Sequence, residues 1–331
     1  MNEHPPVMTN RRTWIQGAVA GVTGLAVGSL GTRAETGRGE SPGSASPNRF
    51  PSSPPSARFC LNTSTIREAK LGLEALVDLT ARVGYDAIEP WINEIEAYRA
   101  RGGSLSDLRK RIGDAGLSVP SAIGFFDYLS DDPALRREGL ETAKRSMELV
   151  AALGGTRIAA PPFRNTERAD LSPQAAAERY AAVLEAGQGL GVTPMLEVWG
   201  FSRTFQRLGE AAHAAMETGH PDACILADVY HLRKGGSPFS TLGWLNGSKL
   251  PHFHINDYPA QPGPDGLADK DRVFPGDGVA PLSEIVRLLT DNGFDGFWSL
   301  ELFNPEYWRR DPEAVAREGL EKTRKAVLGA V

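Results

Sequence analysis

The chain has too little of several things to belong to some common classes. Only 2 cysteines occur in 331 residues, which excludes a disulfide-stapled scaffold. Cys60 and Cys224 both lie in apolar, strand-like runs and read as small core residues; they could pair only if their strands were adjacent with the right geometry. The formal charge is −5, so the basic excess of a nucleic-acid binder is missing and no nucleic-acid partner is expected. The segment "NTSTIREAK" after the first strand-like run holds no glycine, against the phosphate turn of a doubly wound nucleotide-binding sheet. No nicotinamide or flavin motif is present, so no redox cofactor is expected. Histidine is scarce, with 6 residues in all.

What is present begins with paired arginines, Arg11 and Arg12, ahead of the apolar stretch "GAVAGVTGLAVGSLG". That stretch is Gly-rich and weak for a membrane span. Thr32 and Ala34 place small residues where a signal peptidase would cut. Residues 1–34 therefore read as a twin-arginine (Tat) signal, which implies the Tat export machinery as a partner and a periplasmic, exported protein. An uncleaved N-terminus would instead tether it to the membrane. Residues 35–57 are Pro/Ser/Gly-rich and too poor in large apolar residues to fold, so they read as a disordered linker. The folded domain is expected over 58–331.

From Arg58 onward, strand-like runs alternate with amphipathic helical patterns. The runs are 58–64, 85–91, 118–126, 156–163, 193–200, 223–230, 250–257 and 297–303. Stretches such as 71–84, 133–154 and 172–191 place apolar residues at helical spacing and end on glycine. Eight strand–helix units in this length predict a (β/α)8 TIM barrel, whose reactive residues lie at the C-terminal strand ends.

Four late strands carry an ionisable residue near that end: Glu197 in "MLEVW", Asp228 in "ILADVYH", His254 in "HFHIND" and Glu301 in "SLELF". Singly, each has a plain alternative: a rim carboxylate paired with arginine, a helix cap, a hydrogen-bonded core imidazole. Together, three carboxylates facing one another would repel strongly. A divalent cation removes the conflict, and three oxygen ligands with one imidazole suit Mn²⁺ first, with Mg²⁺, Co²⁺, Fe²⁺ or Zn²⁺ as alternatives. His231 should stand just above its strand, close to the cation but not on it, and bind substrate. His252 shares the inward face with His254 one layer deeper and reads as structural. Arg272, in "DKDRVFPGDG", is a candidate substrate clamp. Glu89 and Trp199 are expected to line the substrate pocket, beside Trp91.

At these residues the chain resembles the sugar phosphate isomerase/epimerase group of xylose isomerase-like TIM barrels, and within it inosose (2-keto-myo-inositol) isomerase most. The tokens are "LEVWG", "LADVYHLRKGG", "DRVFPGDG" and "SLELFNPEYW". The resemblance implies a metal held by Glu197, Asp228, His254 and Glu301, with Glu197 and Glu301 as the catalytic acid/base pair. It also implies a small ketose or inosose substrate, contacted by His231 and Arg272, and it admits a homo-oligomer. The implied reaction moves a proton α to a ketone through an enediolate. A metal-dependent lyase or dehydratase on the same barrel, or an exported non-catalytic carbohydrate-binding protein, is the alternative.

Overall fold

Helix starts are written plainly in this chain. Asp132, Ser172 and Asp311 each precede a proline, and each side chain accepts a hydrogen bond from a first-turn amide of the helix that follows. Proline at that position has no amide to leave unsatisfied. The helices run Pro133–Ala152, Pro173–Gln188 and Pro312–Leu328; the first two lie within the stretches 133–154 and 172–191 marked by periodicity. The computed structural model describes residues 57–330. The twin-arginine segment, and the linker apart from Ala57, lie outside them.

Seven parallel strands form one sheet: β1 Arg58–Asn62, β2 Ala87–Glu89, β3 Arg157–Ala160, β4 Thr193–Glu197, β5 Ile225–Asp228, β6 His252–Ile255 and β7 Phe297–Leu300. Their order is β2-β1-β7-β6-β5-β4-β3. An eighth strand was expected over 118–126, and there the structure differs. That segment carries only isolated bridges, Ser118 to Ala87 and Ile123 to Trp91. Pro120 lies between them and can donate nothing to a ladder.

The segment still takes the eighth position in the ring. Ile88 N donates to Ser118 O, Ile92 N to Ile123 O, and Ala159 N to Ala122 O. It thus joins β2 to β3, and the molecule keeps the barrel plan with one irregular stave.

Parallel strands covered by helices are apolar on both faces, and here the strands are buried almost throughout. Polar side chains in them are therefore few and stand out. Parallel register sets their height. Asn62 pairs with Glu89, Asp228 with His254, and Ile255 with Leu300, one residue before Glu301. Asn62, Glu89, Asp228, His254 and Glu301 are thereby drawn to the same end of the barrel. Cys60 and Cys224 are both free and buried; the first lies in β1 and the second enters β5, and these strands are not neighbours.

Candidate active site

Asp228 ends β5 and performs two tasks at once. Its Oδ1 accepts the amide of His231 at 2.9 Å and caps the short helix Val229–Lys234. Its Oδ2 faces the barrel, where it accepts from Asn256 Nδ2 and Arg272 Nη1, each at 2.9 Å. The helix-cap reading of this aspartate is realised, and its second oxygen is left facing the barrel.

Arg272 is 1% exposed, the largest fully buried side chain in the described chain. Its Nη1 donates to Glu301 Oε2 at 2.8 Å as well as to Asp228, and its Nη2 donates to Asp269 Oδ1 at 2.6 Å. The guanidinium lies over the Tyr230 ring at 4.3 Å and the Phe303 ring at 4.9 Å. The arginine expected to reach only for substrate thus bridges two of the carboxylates, and a buried cation is what they require.

His254 is fully enclosed. Its Nδ1 lies 3.1 Å from Glu301 Oε2 and 3.8 Å from Asp228 Oδ2, yet has no aligned hydrogen-bond partner. Its Nε2 lies 3.0 Å from Glu89 Oε2. Burial opposes protonation of this ring, but Glu301 and Glu89 outweigh it and hold the pKa well above the ordinary histidine value. Burial likewise raises the Glu301 carboxyl, but His254 and Arg272 more than offset it and keep it low.

Glu197, at the end of β4, has a different environment. It is 4% exposed, and its Oε2 has no hydrogen-bond partner among the described residues. Burial, aided by the charge of Glu301, pushes its pKa up to about 8 against the pull of His254. The four expected ligands do not all converge equally. Ligand atoms of Asp228, His254 and Glu301 lie within 4.8 Å of one another, a group that does not include Glu197.

The donor set fits a divalent cation. It combines hard carboxylate oxygens with one ring nitrogen, and both His254 Nδ1 and Glu197 Oε2 are buried without a partner. Such orphaned buried atoms are costly unless something else satisfies them.

His231 stands above β5 in a helix and is buried. Its Nδ1 lies 3.2 Å from the Gly200 amide and its Nε2 lies 3.2 Å from Arg272 Nη2. A neutral imidazole accepts at one nitrogen only, so the tautomer decides which of these donors it serves. Burial, with Arg272 and His254, pushes this imidazole well below the ordinary value and keeps it neutral.

Glu89 departs furthest from expectation. It was placed on the pocket wall and instead is wholly enclosed. Its Oε2 accepts from Asn62 Nδ2 at 2.9 Å and Ser299 Oγ at 2.8 Å, besides meeting His254. Its Oε1 is 3.1 Å from His252 Nε2. Burial raises this carboxyl, but the two imidazoles beside it hold the pKa well below the carboxylate range.

Trp199 does lie on a half-buried aromatic wall. Its ring meets Phe125 edge-on at 5.9 Å, and Phe125 meets Trp91 at 5.5 Å. Asn62, Asn256 and Ser299 were not singled out from the sequence. The only signal they carry is being short polar residues at the ends of apolar strands.

A parallel barrel whose strand ends enclose a carboxylate–imidazole–arginine cluster places the chain among barrels that hold their chemistry at that face. It belongs to the xylose isomerase-like TIM barrel family, whose model matches residues 77–326. It is 28% identical over 276 residues to an inosose isomerase of Bacillus velezensis, covering 82% of this chain and 97% of that one. It is 24% identical over 271 residues to a fructoselysine 3-epimerase of Escherichia coli O157:H7, covering 78% and 95%. Among solved structures, it superposes on the zinc-bound IolI protein with a TM-score of 0.77 at 22% identity, covering 83% of this chain and 99% of the other.

Proposed function

We propose that the protein is a divalent-metal-dependent isomerase or epimerase of a small sugar or cyclitol ketone, with 2-keto-myo-inositol the first substrate to try. The observation that carries this is the buried Asp228–His254–Glu301 cluster, with Glu197 on the adjacent strand end; before any cation binds, burial pushes Glu197 up to about 8 while His254 and Arg272 hold Glu301 low. Two carboxyls whose environments drive their pKa values apart are suited to give and take one proton. The inosose isomerase and the epimerase to which the chain is similar support the same reading.

Asp228, His254 through Nδ1, Glu301 and Glu197 would hold the cation. When bound, it supplies Lewis-acid stabilisation to negative charge developing on the substrate's carbonyl oxygen. Glu301, ionised, takes the proton from the carbon next to the ketone. Glu197, which before any cation binds is pushed up to about 8 by burial, is the partner that would return a proton to the neighbouring carbon for an isomer or to the opposite face for an epimer. His231 and Arg272, neighbours at the strand ends, would bind the substrate's oxygens. The aromatic wall of Trp91, Phe125 and Trp199 offers flat surfaces to the C–H face of a ring and keeps water from it.

The test is proton exchange. Purified full-length protein with Mn²⁺ in D₂O is incubated with 2-keto-myo-inositol or a panel of ketohexoses and followed by NMR. Deuterium should appear next to the carbonyl, and Glu301→Gln should abolish it. A metal-loaded protein that exchanges none of these ketones would sink the isomerase reading, and release of water from substrate would mark a lyase. We also propose, on the Arg11–Arg12 motif, that the protein is exported by the Tat route. Substituting both arginines by lysine should then leave it in the cytoplasmic fraction.

A further inference from the structure

Glu89, at the C-terminal end of β2, is enclosed by side chains of β1, β6 and β7. Asn62 of β1 and Ser299 of β7 both donate to its Oε2, at 2.9 and 2.8 Å. His254 Nε2 approaches the same oxygen at 3.0 Å, and His252, on the same strand β6, lies 3.1 Å from Oε1. The residue is 0% exposed. Asn62 Nδ2 reaches on to Glu301 Oε1 at 3.1 Å, so the two glutamates share one amide.

The consequence falls on the imidazole of His254. Its Nε2 edge is pinned, while its Nδ1 edge looks at Glu301 and Asp228 with no aligned partner. The His252 ring packs edge-on against it at 5.6 Å and 83°. From this geometry we infer that Glu89 is a positioning residue: it takes the Nε2–H of His254 and so dictates that Nδ1 is the nitrogen offered to a cation. This deepens the reading proposed above and rests on it. A carboxylate behind a metal-binding imidazole fixes its tautomer and ring orientation and raises its basicity.

A rival use of the same atoms is a second cation among Glu89, His252 and His254, whose ligand atoms also lie within 4.8 Å. Oε2 already accepts from two neutral donors and meets His254 Nε2 at 3.0 Å, which leaves it little capacity for an ion. Oε1 and His252 Nε2, 3.1 Å apart, have no aligned partner, so the number of cations bound decides between the two uses.

The experiment is a Co²⁺ titration of metal-stripped full-length protein, read by visible absorption and by competition with a chelator. The wild type should take one Co²⁺ per chain. Glu89→Gln should weaken it by about 10–100-fold, the range for loss of such a partner, and Ser299→Ala, which leaves the carboxylate but removes a donor to it, by less. If the wild type binds Co²⁺ and both variants bind it equally well, Glu89 does not position the ligand and the inference fails while the metal-dependent reading stands. Two Co²⁺ per chain would overturn it in favour of the second site. No Co²⁺ at all would remove both. Should Glu89→Gln fail to fold, the wild type still decides. In the Zn²⁺ form, long-range ¹⁵N–¹H NMR should show His254 protonated at Nε2 and metal-bound at Nδ1, and the reverse assignment would refute the inference.

Discussion

At the scale of single residues, the site is a set of opposed protonation states. Without a cation, His254 is held protonated by Glu301 and Glu89. Binding a cation through Nδ1 must expel that proton, because a metal ligand imidazole is neutral. Affinity for Mn²⁺ or Zn²⁺ should therefore rise with pH up to the raised His254 value, beyond the ordinary histidine range. Calorimetry in buffers of different ionisation enthalpy should register proton release.

Glu301→Gln and Glu197→Gln should also separate. The first removes the ionised base and should abolish deuterium exchange and turnover, by about 10²–10⁴-fold. The second should leave first-step exchange measurable while slowing product formation. Metal content measured alongside shows whether either change acts through the cation instead.

At the scale of elements, the loop from β6 to the following helix carries Arg272, and one side chain gathers four of its amides. Asp257 accepts the amides of Tyr258 and Ala280 at 2.8 Å, Gly276 at 3.0 Å and Gly278 at 3.1 Å. This accounts physically for the sequence "FPGDG". Gly276 has φ +89°, and a Cβ on Gly278 would run into Tyr258 O and the Asp257 carboxylate. Asp257→Ala leaves those amides without their acceptor and should cost roughly 1–3 kcal/mol for each one that stays buried and unpaired. It should also raise KM more than it lowers kcat, since the loop that carries Arg272 loses one of its ties. Gly278→Ala should destabilise by roughly 1–3 kcal/mol through overpacking. Thermal unfolding and steady-state kinetics check both.

For the whole molecule, the buried ionisable groups make the metal-free protein sensitive to pH. Glu197 and His254 both have folded pKa values above their ordinary ones. The native state then binds more protons than the unfolded chain, so stability falls as pH rises, for Glu197 between the ordinary carboxylate value and about 8. Glu89 acts oppositely: its contribution is present above the ordinary carboxylate value and is lost as pH falls through its depressed one. The metal-free protein should be most stable in mildly acidic solution. A cation should restore most at pH 8. At 100 times its Kd it adds about 2.7 kcal/mol, or roughly 5 °C in Tm for a folded domain of this size. A chelator that leaves Tm unchanged at pH 8 would contradict this.

The sequence by itself determined the barrel and its reactive end. Parallel strands buried on both faces must be apolar, so Glu197, Asp228, His254 and Glu301 at their ends are visible in one dimension. It also marked the capped helix starts, because Asp–Pro and Ser–Pro pairs act within a few residues. Only the tertiary structure decided which of those groups meet. Glu89 and His254 are 165 residues apart, and Arg272 and Asp228 44 apart, and no local pattern encodes such pairings. For the same reason Glu89 read as a wall residue until the register of β1, β2, β6 and β7 enclosed it. The stretch 118–126 read as a strand until Pro120 broke its ladder. A strand's apolar run reports burial, whereas its pairing depends on which backbone amides the neighbouring staves can reach.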